Sequence, residues 1–598
     1  MRFSIGRKLA VLWIAWLGFA AAAPATSPTQ ERADRFLALV NAGYQALSRV
    51  CQEAQWAAMV DVTPAHDAAA EAAGKAYAAF NGNPALIEEA RALLTLRAKL
   101  TPITIRQLEH ILLNAAECPM ANPELVADRI AAETAQSSTL NSFTFQFKGK
   151  PISTNQIDNL LRTSRDLAER QALWETSKTC GPILKPGLVK LRALRNDSAR
   201  ELGYTDYFAL RMAAYGMTPS EMLALNDAFL RELRPLYLQL HTWTKHMLAK
   251  RYGKPVPRLI PAHWIDNRWA QDWDGLIDAA DLNPFLKEHE PSWTVQTSER
   301  FYAGLGFTPL PASFWDKSDL YPIPAGSARK KNTHASCWHI DLEDDIRSLM
   351  NIEPGMQWFE TAHHELAHAH YFMCYSRPEV PPLLRDSANP GFHEAIAEMA
   401  ALASRQVPYL RRLGVLPPNF RADPNALLLS DALVHSVPFL FWASGTMTHW
   451  EADIYTGNLP PDQWNARWWS YVRDFQGIEP PSGKRDESWC DAATKTHIND
   501  NPCYYPNYAF ATVLCFQLHD YIARNILHAP PQNCDYADNP KVGIFLRNIM
   551  EKGATEDWRT VLREATGEDL STRAMVEYFR PLTIWLQKQN QGRKIGWE

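Results

Sequence analysis

No run of lysine or arginine exceeds a few residues in this 598-residue chain, and its formal net charge is only -5. A nucleic-acid surface needs a clustered basic patch, so no nucleic-acid partner is expected. No internal repeat divides the chain. After the N-terminus no stretch reaches 18 apolar residues, so no later membrane span and no stable membrane association are expected. No cysteine follows the small residues Ala21–Ala25, which argues against a lipid anchor. No second cluster of histidine and cysteine has metal spacing beyond the one described below.

What is present reads as an exported globular protein. Apolar residues make up 46% and charged residues 21%, and 21 tryptophans with 41 prolines suggest an aromatic-rich core with many ordered turns. Residues 1–25 have the form of a secretory signal. Arg2, Arg7 and Lys8 precede the apolar stretch Leu9–Ala22, with cleavage expected after Ala23 or Ala25. The remainder, 26–598, is expected to be one catalytic unit, monomeric and periplasmic or secreted. Nine cysteines are an odd set for an exported chain, so at least one is free or pairs between chains. Cys490 with Cys503, and Cys51 with Cys118, are the candidate pairs, while Cys337 and Cys374 read as packing.

From Ala33 to about Arg251 the pattern is helical almost throughout, with amphipathic stretches over 67–80 and 84–99. Asn83 before Pro84 is a capping residue followed by proline in the first turn. Residues 281–333 are broken by prolines and glycines. His334–Ile340 is the best strand candidate. Further helices are expected at 425–450, 464–475 and 508–526.

The chemistry concentrates in His364-Glu365-Leu366-Ala367-His368. Two histidines four apart on a helix differ by roughly 40° in bearing, so both imidazoles can meet one ion. Glu365 can lean over the ion's open side as a base. Zinc in such a site takes three protein ligands and keeps one position for water. In Asn389-Pro390-Gly391-Phe392-His393-Glu394 a second helix opens at about Phe392, with Glu394 as third ligand and Glu398 one turn later as an outer carboxylate. The five-residue pattern alone arises by chance in long chains; the second helix lifts it above chance. His363, His370 and His393 read as packing or outer residues.

These motifs, with His334-Ala335-Ser336, resemble the peptidyl-dipeptidase A family, that of angiotensin-converting enzyme. Pro261-Ala262-His263, Trp269-Ala270-Gln271-Asp272-Trp273, Trp468-Trp469, Phe475-Gln476-Gly477, Lys495-Thr496-His497-Ile498 and Tyr578-Phe579-Arg580-Pro581 are similar to family segments in the same order. The resemblance implies a mainly α fold, a large helical ellipsoid of two halves around a deep central channel, with a small sheet near the zinc site. It implies zinc held by His364, His368 and Glu394, with Glu365, Tyr508 and His497 as catalytic residues. Lys495, Gln271 and Tyr505 would grip a substrate's terminal carboxylate. His334, Ala335 and Cys337 would run beside the peptide. The implied activity is release of C-terminal dipeptides from oligopeptides. The alternatives are a zinc peptidase of other cleavage mode and an inactive, receptor-like zinc-binding protein on the same scaffold.

Departures from the family's pattern carry their own expectations. Asn507 and Val472 stand where the family has arginines at two chloride sites, with Arg473 one place late, so chloride dependence is expected to be weak or absent. Thr333 replaces a cysteine before the strand. The loop before the third ligand is longer by Pro381-Pro382. A residue inserted before Tyr505 makes Tyr504 its potential substitute.

Overall fold

The computed structural model describes residues 27–597 apart from 274–275, 277–281, 325 and 482–484. The signal segment 1–25 lies outside the described residues.

A repeated local device starts the helices. A short polar side chain accepts a backbone N–H of the first turn, and a proline occupies that turn where its missing N–H costs nothing. Ser27-Pro28 opens α1 (Pro28–Val60), and Thr218-Pro219 opens α2 (Pro219–Tyr252). The same pairing recurs at Thr63-Pro64, Asn83-Pro84 and Asn539-Pro540. Much of the proline content is therefore helix initiation. The stretch expected as one helix over 84–99 ends at Leu94 and continues only as a short turn over Arg97–Lys99.

Farther along lie α3 (Met356–Tyr375), α4 (Pro390–Ser404), α5 (Pro424–His435), α6 (Thr448–Tyr455) and α7 (Tyr505–Tyr521). The fold is mainly α, as expected. The small sheet expected near the metal site is present, and with it the described residues form three two-stranded sheets in place of one. β1 (Phe145–Phe147) and β2 (Lys150–Ile152) make a hairpin whose turn places Lys148 and Gly149 at φ 51 and 76. Three-residue strands are too short to show alternation, and the Lys-Gly turn is their only local signal. β3 (Ile260–Pro261) pairs in parallel with β6 (Ile478–Glu479), far away in sequence. β4 (Ser336–His339) and β5 (Ile346–Leu349) are antiparallel, with Cys337 opposite Ser348. β4 falls inside the strand expected at 334–340.

One continuous apolar core runs from Ala116 to Trp597, and within it α4 packs against both α3 and α7. A close approach of α4 to α7 is at Gly391, where an added Cβ would lie 2.3 Å from the Phe510 ring. The stretch Pro424–Tyr455 is long and apolar enough to cross a membrane by length and composition; 65% of its most apolar window is buried in the fold.

Both suggested disulfides are absent, since all nine cysteines are free thiols. Each of the four is held in its own buried setting. Cys118 donates to the carbonyl of Ala78 at 3.1 Å, and Cys51, Cys490 and Cys503 are enclosed in the interior.

Candidate active site

α3 begins after Gly355, and its Met356 N–H donates to Asn283 Oδ1 at 3.0 Å. The helical spacing then brings His364 and His368 together, with their Nε2 atoms 3.1 Å apart. α4 starts two residues earlier than expected, at Pro390, because Asn389 accepts the Gly391 N–H at 2.9 Å. That start sets Glu394 Oε2 at 3.5 Å from His364 Nε2 and 4.0 Å from His368 Nε2.

A tetrahedral ion with bonds of about 2.0–2.1 Å separates its ligand atoms by about 3.3 Å. The three donor atoms lie within 4.8 Å of one another, so the cluster fits such an ion after small movements of the carboxylate. The outer groups also suit a metal. His393 Nδ1 lies 2.7 Å from His368 Nδ1, and Glu398 Oε1 lies 3.6 Å from His364 Nδ1, so each ligand imidazole has a partner on its far nitrogen. Burial, then the neighbouring His364 and His393, pushes His368 well below the usual histidine range. That favours the neutral ring a metal requires.

Glu365 is 5% exposed, and its Oε2 has no hydrogen-bond partner. Burial pushes its carboxyl up to about 7, with Glu394 and Glu398 adding to the rise and His364 opposing it. A buried carboxyl with one unpartnered oxygen, beside three groups that could hold a metal, is in a setting where perturbed acids and bases are found. Cys337 of β4 lies close enough that Glu365, after burial, raises its thiol. β4 packs on α3, and its outer edge is open among the described residues. His334 is exposed just ahead of it, and Ala335 packs partly against the core.

α7 packs against α4 and carries Tyr505 and Tyr508. The Tyr508 hydroxyl lies 3.4 Å from His497 Nε2, and Glu394 is among the charges that raise it after burial and Tyr504. His497 is lowered to about 4 by burial, then by Lys495 and His334. Lys495 Nζ donates to Gln271 Oε1 at 2.9 Å and lies 4.3 Å from the Trp269 ring centre. Tyr505 is buried, with its ring 5.7 Å from Lys495 Nζ, whereas Tyr504 stacks edge-on against Tyr508 and responds to Glu394. Tyr505 also meets Tyr508 edge-on, so both tyrosines adjoin it. Asn507 and Val472 are both buried.

The sequence reading missed one group. Glu360, one turn before His364, faces Arg405 and a cavity beyond it. Its i−4 spacing from the first histidine was the available signal.

The family model described as angiotensin-converting enzyme, peptidase family M2, matches residues 27–597. The chain belongs to this family. It is 32% identical over 465 residues to angiotensin-converting enzyme of Mesocricetus auratus, covering 74% of this chain and 34% of that protein. It is 31% identical, over the same shares, to angiotensin-converting enzyme of Mus musculus. The enzyme of Bos taurus is likewise 31% identical, over 74% of this chain and 35% of the relative. The chain therefore spans about a third of the length of these curated relatives. The family is one of zinc-dependent metallopeptidases, and His364, His368 and Glu394 form a group that could hold the metal.

Proposed function

We propose that this family member is a zinc-dependent peptidyl-dipeptidase that releases C-terminal dipeptides from oligopeptides, with residues 26–598 as one exported catalytic unit. The observation that carries the reading is continuity. Lys495 and Gln271 are bonded to each other, Lys495 neighbours His497, His497 meets Tyr508, and Tyr508 faces Glu394. This series of neighbouring side chains supports reading Lys495 and Gln271 as a carboxylate cradle serving the metal cluster.

When bound by His364, His368 and Glu394, zinc would acidify a water and polarise the scissile carbonyl. Glu365 accepts the proton released as attack begins and passes it to the leaving amine. The Tyr508 hydroxyl donates to the oxygen on which negative charge develops. His497, neutral at pH 7, orients that hydroxyl or binds the substrate backbone. Lys495, Gln271 and Tyr505 hold the terminal carboxylate, and a lysine with neutral donors suits one such group. Two extended residues span about 7 Å, so a cradle held at that distance from the metal would meter a dipeptide. His334, Ala335 and Cys337 align the peptide along the open edge of β4. Asn507 and Val472 bring no charge to the positions where the resemblance implies chloride-binding arginines, so turnover needs little or no chloride.

The test is peptide hydrolysis by zinc-loaded protein, by chelated protein and by Glu365→Ala. Activity that chelation removes and zinc restores, and that the substitution abolishes while one zinc stays bound, supports the reading. Hydrolysis that survives either treatment contradicts it.

A further inference from the structure

Lys178 is a buried cation that the proposed reaction does not use. It ends the helix Leu167–Lys178, where a lysine ordinarily reaches into solvent beside the last carbonyls, yet it is only 2% exposed. Its ammonium lies 4.9 Å from the Trp269 ring centre and 5.1 Å from that of Trp174, and it donates to Thr494 Oγ1 at 3.4 Å. Asp491 is the acid that acts on it most, but that carboxylate is already held by Arg485 and by the Trp469 indole N–H. A buried charge with so little local compensation is costly, and a neutral side chain of the same length would pack there more cheaply.

What its contacts share is Lys495. The Trp269 ring that meets Lys178 also meets Lys495 Nζ, 4.3 Å from the ring centre, and Trp269 Nε1 donates at 3.3 Å to the same Thr494 oxygen. Thr494 immediately precedes Lys495, and its hydroxyl donates in turn to the Asp491 carbonyl at 2.7 Å. Gln271, which accepts from Lys495 at 2.9 Å, lies two residues after Trp269. One ring and one hydroxyl therefore join Lys178 to both members of the Lys495–Gln271 pair. Arg268, fixed by Asp158 at 2.7 and 3.1 Å, lies 4.3 Å from the same ring centre and acts on both lysines.

We infer that Lys178 is a positioning residue of the carboxylate cradle: set against Trp269 and bonded to Thr494, it fixes the ring and the turn of chain that present the Lys495 ammonium to a substrate's terminal carboxylate. The inference rests on the dipeptide-releasing reading above. Tryptophan is the strongest aromatic partner for a cation, and the attraction grows when the cation is desolvated, as it is here. Without Lys178 the ring is free to tilt and the Thr494 hydroxyl to turn, and the flexible stem of Lys495 loses its defined place. Burial first, then Arg268 and Arg485, pushes the Lys178 ammonium down to about 7 against the pull of Asp491, so below that pH both lysines carry their charge. A lysine that only filled space would affect every substrate alike; a positioning lysine affects those with a free carboxylate.

The experiment uses zinc-loaded full chain at pH 6 and one N-terminally blocked pentapeptide, as the free acid and as the C-terminal amide. Lys178→Met is expected to raise KM for the free acid by about tenfold, with kcat and the amide's KM within about twofold of the unsubstituted protein. Lys178→Arg restores the cation, and a cavity of about 20 Å³ beside Lys178 gives room for the larger head group. It is expected to bring KM back to within about threefold. Thr494→Val removes the shared hydroxyl at constant shape, is expected to raise the acid's KM by about threefold, and serves where Lys178→Met does not fold. The acid-to-amide ratio is taken within one protein, so a general loss of folded enzyme cancels. An equal change for acid and amide, a ratio unchanged in both Lys178→Met and Thr494→Val, or no recovery in Lys178→Arg would overturn the inference. If the unsubstituted protein prefers the acid and the variants keep that preference, the inference alone falls. If the unsubstituted protein treats acid and amide alike, the dipeptide-releasing reading falls and the inference with it.

Discussion

At the residue scale the claims are chemical and separable. In the proposed reaction Glu365 accepts the proton, so Glu365→Ala is expected to cut kcat by about 10²–10⁴-fold with zinc content unchanged. The proposal has Tyr508 act only where charge develops, so Tyr508→Phe is expected to lower kcat by about 10²–10³-fold and leave KM nearly constant in steady-state assays. Lys495 gives the pH dependence. Burial pushes its ammonium down to about 7, Arg268 adding to the fall and Asp272 opposing it, so the charged form dominates below that pH and is lost above it. Affinity for a terminal carboxylate is therefore expected to fall as pH rises through that range, while a C-terminal amide shows no such limb. KM measured for both substrates from pH 6 to pH 9 checks the sign. His364, His368 and Glu394 were legible because their spacing is itself the chemistry. Lys495 and Gln271 were not legible alone, because a lysine and a glutamine have no local pattern; only the resemblance singled them out.

At the element scale, two helix starts and one close contact position the metal ligands. His393 lies on the turn of α4 that carries Glu394 and holds the far nitrogen of His368. His393→Ala is expected to weaken zinc affinity by about 10–100-fold, measured by competition with a chelator. Gly391 lets α4 approach α7, and a Cβ there would meet Phe510 at 2.3 Å. Gly391→Ala is expected to cost about 1–3 kcal/mol in denaturant melts, because the ring and the helix must shift apart. Helices were readable from period and from the repeated cap-proline pairs. The short strands were not. β3 and β6 are two residues each and find each other across more than 200 positions, a pairing no local pattern announces. The hairpin at Phe145–Ile152 disappeared into a helical background for the same reason.

At the scale of the whole molecule, one apolar core carries the site, and no covalent cross-link supports it. All nine thiols are free, so reductant is expected to leave Tm unchanged, which a melt with and without dithiothreitol checks. The disulfide suggestions failed because cysteine number and loop position say nothing of where each side chain points. A metal held by His364, His368 and Glu394 would tie α3 to α4. The most direct measurement is mass spectrometry of products from one N-terminally blocked pentapeptide, offered to zinc-loaded protein as the free acid and as the C-terminal amide. Release of an intact C-terminal dipeptide, slowed by amidation, is the expected result. Cleavage at other bonds with no response to amidation would contradict it, leaving the zinc chemistry and removing the carboxylate grip.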